Sequence, residues 1–209
     1  LYVHEPVLCA VTVEAPGNLV TAVSVRDGEV LWRRVIGQPT ETDEDVLAIA
    51  DLAKRVIATG REVSGRNDIR CTVSIGGFVP KPHTPFQWAG QCEHETVDTR
   101  LSMLRDAIRS DRAYARAIGF RYHDGRPSVI EGLLSRGDRR VARIVRAVWE
   151  DGGRFDGWSE YFRYERWVAA AETALAGEPV DLDWYTTRER EYAEVLPWDH
   201  LDSGLDRDW

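Results

Sequence analysis

The stretch from Glu29 to Ile75 constrains the fold more than any other part of the chain. The run 29-EVLWRRVI-36 is rich in β-branched residues. After it, Thr42 and Asp45 stand at capping-box spacing, with Asp in place of the usual Glu. Acidic residues crowd the turn that follows, where they favour the helix dipole. Val46, Ile49, Ala50, Ala53 and Val56/Ile57 then recur at helical spacing, and 69-IRCTVSI-75 returns to a strand pattern. Two strands joined by a helix pair in parallel, so a parallel sheet or barrel is expected. Upstream, 7-VLCAVTVE-14 and 19-LVTAVSV-25 also read as strands, and 26-RDGE-29 carries the Asp-Gly turn of a hairpin.

Downstream, Val97, Leu101, Leu104, Ile108, Ala115 and Ile118 predict one long helix, followed by an extended segment, 119-GFRYHDGRPSVI-130, with a second Asp-Gly turn. A helix over 139–153 stops at Gly152-Gly153, and another is expected over 158–176. The tail ends in 196-LPWDHLDSG-204, where Trp198 is expected to dock onto the body. Six of the eight tryptophans lie from Trp149 onward, so this part packs in its own way. The expected organisation is a sheet-containing part over 1–130, atypical and β-rich in 1–35, and a helical extension over 131–209.

A net charge of −8 argues against a polyanion-binding surface over the whole molecule. No apolar run approaches the roughly 20 residues that cross a bilayer, and no secretory signal is visible, so no membrane is expected. Cys9, Cys71 and Cys92 are widely spaced and odd in number, which favours thiols in a reducing cytoplasm.

The stretch 71-CTVSIGGFVPKPHTPFQW-88 is the first candidate for chemistry. Each X–Pro step pushes the preceding residue into extended geometry, so Val79, Lys81 and Thr84 project in defined directions. Lys81 and His83 are then polar contacts to a ligand, with Phe86 and Trp88 as an apolar wall. The same residues also suit a rigid, aromatic-capped corner. The second candidate is 131-EGLLSRGDRR-140. Ser135 or Asp138 can cap the next helix, and the planar forks of Arg136 and Arg139 suit a carboxylate or phosphate. Arg143 and Arg146 extend the series into a stripe that either contacts RNA or pairs with the acidic tail. Cys92 and His94 in 91-QCEHE-95, with His83 and His123, are too few and too scattered to predict a metal site.

The segments IGQPTETDED, SIGGFVPKPHTPFQW, SVIEGLLSRGDRRV, FDGWSEYF and LPWDHLDSG together resemble one family of radical S-adenosylmethionine (radical SAM) proteins, the kind with a cobalamin-binding-like N-terminal domain. The likeness covers roughly 35–209 and corresponds to the family's C-terminal portion. It implies a partial (β/α) barrel of radical SAM type and a [4Fe-4S] cluster that binds S-adenosylmethionine and cleaves it to a 5′-deoxyadenosyl radical. It places Lys81, His83, Thr84, Gln87 and Trp88 toward cofactor or substrate, and Glu131, Arg136 and Asp138 of the second candidate are expected to face it as well. The family's CxxxCxxC cluster motif is absent here, and residues 1–35 do not share the likeness. The resemblance therefore implies part of a radical SAM enzyme that is inactive alone and needs a missing N-terminal half or a partner chain. The alternative is a non-catalytic module that binds RNA or a protein.

Overall fold

The computed structural model describes residues 29–38, 40–122 and 125–204. They fall into two compact units, residues 29–77 with 95–122 and residues 78–94 with 125–204.

The first unit is built on β1 (Glu29–Ile36), α1 (Asp43–Ser64), β2 (Arg70–Gly77), α2 (His94–Ser110, its first residue in the second unit) and β3 (Ile118–Tyr122). The strands form one parallel sheet in the order β1-β2-β3. Glu29 pairs with Arg70 through to Ile36 with Gly77, and Cys71 with Ile118 through to Ile75 with Tyr122. Parallel pairing is what a helical crossover between strands requires. Cys71, Thr72 and Val73 are consecutive and all buried, so both faces of β2 are covered.

α1 starts where its sequence says it should. The Thr42 hydroxyl accepts from the Asp45 amide, and Asp45 Oδ2 accepts from the Thr42 amide at 2.8 Å. Its buried face is Val46, Ile49, Ala50, Ala53 and Ile57. Each large aliphatic there contributes about 1.5–3 kcal/mol by leaving water. Arg100 on α2 ties down the entry to α1, donating to the Glu41 carbonyl at 2.9 Å and to the Glu41 and Asp43 carboxylates at 3.3 Å.

The second unit holds the proline-rich loop and α3 (Gly125–Arg136), α4 (Val141–Glu150), α5 (Tyr164–Ala174) and α6 (Leu182–Tyr185). Leu133, Ile144, Val148, Trp167, Ala171 and Tyr185 are among the residues of its core. Gly152, at φ 83°, and the bond from the Gly153 amide to the Val148 carbonyl end α4.

Several expectations are corrected. The described residues do not form the partial (β/α) barrel: they hold three strands in one parallel sheet, and helices predominate. Beyond β3 the apolar residues recur at helical spacing, as in Val141, Ile144 and Val148, so no further strand is described that could extend the sheet. The long helix over 97–118 ends at Ser110, because the Asp111 carboxylate and carbonyl turn the chain by accepting from the amides of Ala113, Tyr114 and Ala115. Ile118 instead opens β3.

Residues 125–130 are not extended but form the first turns of α3. Pro127 fits there because the first turn of a helix needs no intrahelical N–H donors. α5 begins at Tyr164 rather than near 158. Upstream of it, Phe155 (φ 57°), Trp158 and Tyr161 lie in a loop and stay exposed. Neither Ser135 nor Asp138 is the residue at the start of α4. That residue is Arg140, and Asp138 Oδ1 accepts from its amide at 2.8 Å. The strands expected over 7–25 and the turn at 26–28 lie outside the described residues. No described helix is long and apolar enough to cross a membrane.

Candidate functional site

The proline-rich loop follows β2 in the chain and is fastened at its base. Val79 and Pro80 are buried. The Thr84 hydroxyl donates to the Lys81 carbonyl at 2.8 Å and closes a turn around Pro82 and His83. His83 sits in the left-handed region at φ 55°, which costs a non-glycine residue about 1–2 kcal/mol. Its amide donates to Gln87 Oε1 at 3.1 Å, which holds it there. The same Gln87 oxygen accepts from the indole of Trp198 at 2.7 Å. Gln87 is therefore a buried hub, and Trp198 docks the tail as expected.

Behind the loop runs a frame of hydrogen bonds. Arg136 is fully buried, and its guanidinium donates to the carbonyls of Thr186 at 2.9 Å, Ala89 at 2.8 Å and Gln87 at 3.5 Å. Burial, then the nearby charges of Arg190 and Arg188, push its pKa down to about 9. The Gln91 amide adds a second bond to the Thr186 carbonyl, and its side chain donates to the Ser128 carbonyl. The Arg190 amide donates to the Trp88 carbonyl, while the Trp88 ring lies against Tyr192 at 4.7 Å. Trp88 thus packs toward the tail. Phe86 keeps 40% exposure and meets Phe78 edge-on.

On the open side of this frame, Lys81 Nζ lies 2.5 Å from Glu131 Oε1 of α3. The His83 imidazole has no hydrogen-bond partner among the described residues. An exposed ion pair contributes only about 0–1 kcal/mol, so stability does not explain Lys81–Glu131. Asp138 belongs to a separate cluster. Arg140 and the Tyr185 hydroxyl, at 3.0 Å, both donate to it and hold its carboxyl below the usual range.

The predicted residues thus divide. Lys81 pairs with Glu131, while His83 and Thr84 share the loop with Lys81 and make up the rest of this outer group. Gln87 and Arg136 build the frame beneath it. Trp88 lies against Tyr192, and Asp138 is bonded to Arg140 and Tyr185. Tyr185, Gln91 and Arg190 were not singled out, and only their placement in the fold reveals them.

The arginine series does not form an unneutralised stripe. Arg140 and Arg143 share Glu178, and Arg146 pairs with Glu150. A [4Fe-4S] cluster does not fit the described residues. Cys71 is buried in β2, Cys92 is half-buried, and no group of three or more His, Cys, Asp or Glu residues converges to hold a metal. Cys9 and His123 lie outside the described residues.

No family model matches the chain, and no solved structure matches it. An uncharacterized protein of Methanocaldococcus jannaschii is 26% identical over 115 residues, which is 53% of this chain and 22% of that protein. The chain spans well under two thirds of the length of the curated relative to which it is similar.

Proposed function

We propose that this chain is the C-terminal part of a radical SAM enzyme. In this reading its proline-rich loop faces S-adenosylmethionine or the substrate, and the cluster is held by an N-terminal half or a partner chain. The observation that carries the reading is the outer group itself. Lys81, Glu131 and His83 sit on a buried frame of Gln87, Arg136 and Trp198, with His83 held at positive φ. A rigid base under unpaired or weakly paired polar groups is how a binding constellation is kept in place. The segments that carry the family resemblance, PKPHTPFQW, SRGDRRV and LPWDH, supply that frame from three places in the chain. Lys81 and His83 are the donors suited to a carboxylate or a ribose hydroxyl, and Glu131 is an acceptor suited to an amine.

The test is a titration of the chain with S-adenosylmethionine, followed on backbone amides and by calorimetry. The reading predicts weak, saturable changes at residues 81–84 and 131, reduced about tenfold by Lys81→Ala with little loss of thermal stability. If the loop amides stay still at saturating ligand, or if Lys81→Ala binds as the parent does, the loop does not face the cofactor.

A further inference from the structure

A second concave surface lies in the same unit. Asp138, Arg139, Arg140, Pro197 and His200 line a pocket of about 430 Å³. Its charges are unequally committed. Asp138 accepts from the Arg140 amide, from the Arg140 guanidinium and from the Tyr185 hydroxyl, so its carboxylate is saturated. Arg140 and Arg143 share Glu178, and this second acid is neutralised as well. That leaves Arg139 and His200, both exposed and neither side chain with a hydrogen bond or ion pair among the described residues. They come from distant segments and line the same pocket.

A cavity with one free guanidinium, one imidazole and saturated acids takes an anion. A planar guanidinium fork engages two oxygens of one oxyanion, and a second donor reaches a third oxygen, which a phosphate has and a carboxylate lacks. The volume exceeds that of phosphate alone, and Pro197 offers an apolar surface beside the donors. We propose that this pocket binds a small organic phosphate, with Arg139 and His200 holding the phosphate group. The site is separate from the outer group on the proline-rich loop and does not depend on its function.

The experiment is an amide-resolved titration of the whole chain with phenyl phosphate, inorganic phosphate and benzoate. The expected result is saturable shifts at 138–141 and 197–200 with phenyl phosphate, and weaker ones with inorganic phosphate. Affinity should fall about tenfold in Arg139→Gln, one charge-assisted contact's worth, and by less in Arg139→Lys, which keeps the charge without the fork. Arg146→Gln, whose guanidinium pairs with Glu150, should bind as the parent does. Arg139 is exposed, so both variants are expected to keep the parent's amide dispersion. The proposal is overturned if phenyl phosphate gives no saturable shift. Benzoate binding as tightly, or unchanged binding in Arg139→Gln, would also overturn it.

Discussion

Replacing Arg136 with methionine tests whether the frame beneath the proline-rich loop is what holds the second unit together. Methionine keeps most of the volume and removes a fully buried guanidinium. Replacing a buried charge by an apolar group is often neutral or even stabilising, because several kcal/mol of desolvation are recovered. Here no carboxylate among the described residues is hydrogen-bonded to the arginine; its bonded partners are the main-chain carbonyls of Thr186, Ala89 and Gln87. The two short bonds are charge-assisted and contribute roughly 1.5–3 kcal/mol each. Removing them also strands buried carbonyls at about 1–3 kcal/mol each, although Thr186 keeps its bond from the Gln91 amide. Recovered desolvation offsets part of the loss. The expected net is a destabilisation of about 2–4 kcal/mol, a fall in Tm on the order of 10 °C. Arg136→Lys should lose nearly as much, since one ammonium cannot span carbonyls that a planar fork bridges. Thermal and denaturant unfolding followed by tryptophan fluorescence reads the effect. Arg136→Met within about 0.5 kcal/mol of the parent would refute the reasoning.

Other outcomes follow from particular contacts. At His83, glycine should leave stability within about 1 kcal/mol while valine costs about 1–2 kcal/mol, because only a β-branched residue aggravates the positive φ; equal stability of the two variants by denaturant unfolding would contradict the assigned backbone. Gly90→Ala places a Cβ against the Thr187 carbonyl oxygen and should cost about 2–3 kcal/mol, read in the same assay. Burial, then the bond to Asp138, raises the Tyr185 hydroxyl to about 12. The folded state therefore keeps that proton more tightly than the unfolded chain, and stability is lost as pH rises from about 10 toward 12. Denaturation at stepped alkaline pH should show this loss, and Tyr185→Phe should flatten it. On the acid side, Asp138 and Glu194 are lowered by the arginines bonded to them, so their stabilisation is lost as pH falls below the ordinary carboxylate range.

The sequence was legible where local chemistry is enough. Thr42 and Asp45 mark the start of α1 because a capping box is a contact three residues long. The parallel pairing of β1 and β2 follows from a helix between two β-branched runs. Local pattern misled at residues 111–130. Ala115 and Ile118 continue a helical period through Asp111, whose side chain turns the chain. An Asp-Gly step before Pro127 resembles a hairpin as readily as a helix start. The strand–helix–strand pattern allowed a parallel sheet or a barrel and the resemblance favoured the barrel, but the described residues form only a three-stranded parallel sheet.

At the site, Lys81 and His83 were legible as polar residues on a stiff loop. The pairing of Lys81 with Glu131 was not, since fifty residues separate them. Nor was the burial of Arg136, because an arginine in an arginine-rich run has the composition of a solvated face. Only the carbonyls of Thr186, Ala89 and Gln87, brought together by the fold, give it a reason to be inside.

The central claim is that this chain carries the cofactor- or substrate-facing loop while the cluster resides elsewhere. Anaerobic reconstitution with iron and sulfide, followed by iron counting and by assay of 5′-deoxyadenosine from S-adenosylmethionine under reduction, tests it most directly. The account predicts well under one cluster per chain and no 5′-deoxyadenosine. About four irons per chain with 5′-deoxyadenosine formed would mean that the scattered cysteines converge on a cluster, and the division of labour argued above would be wrong.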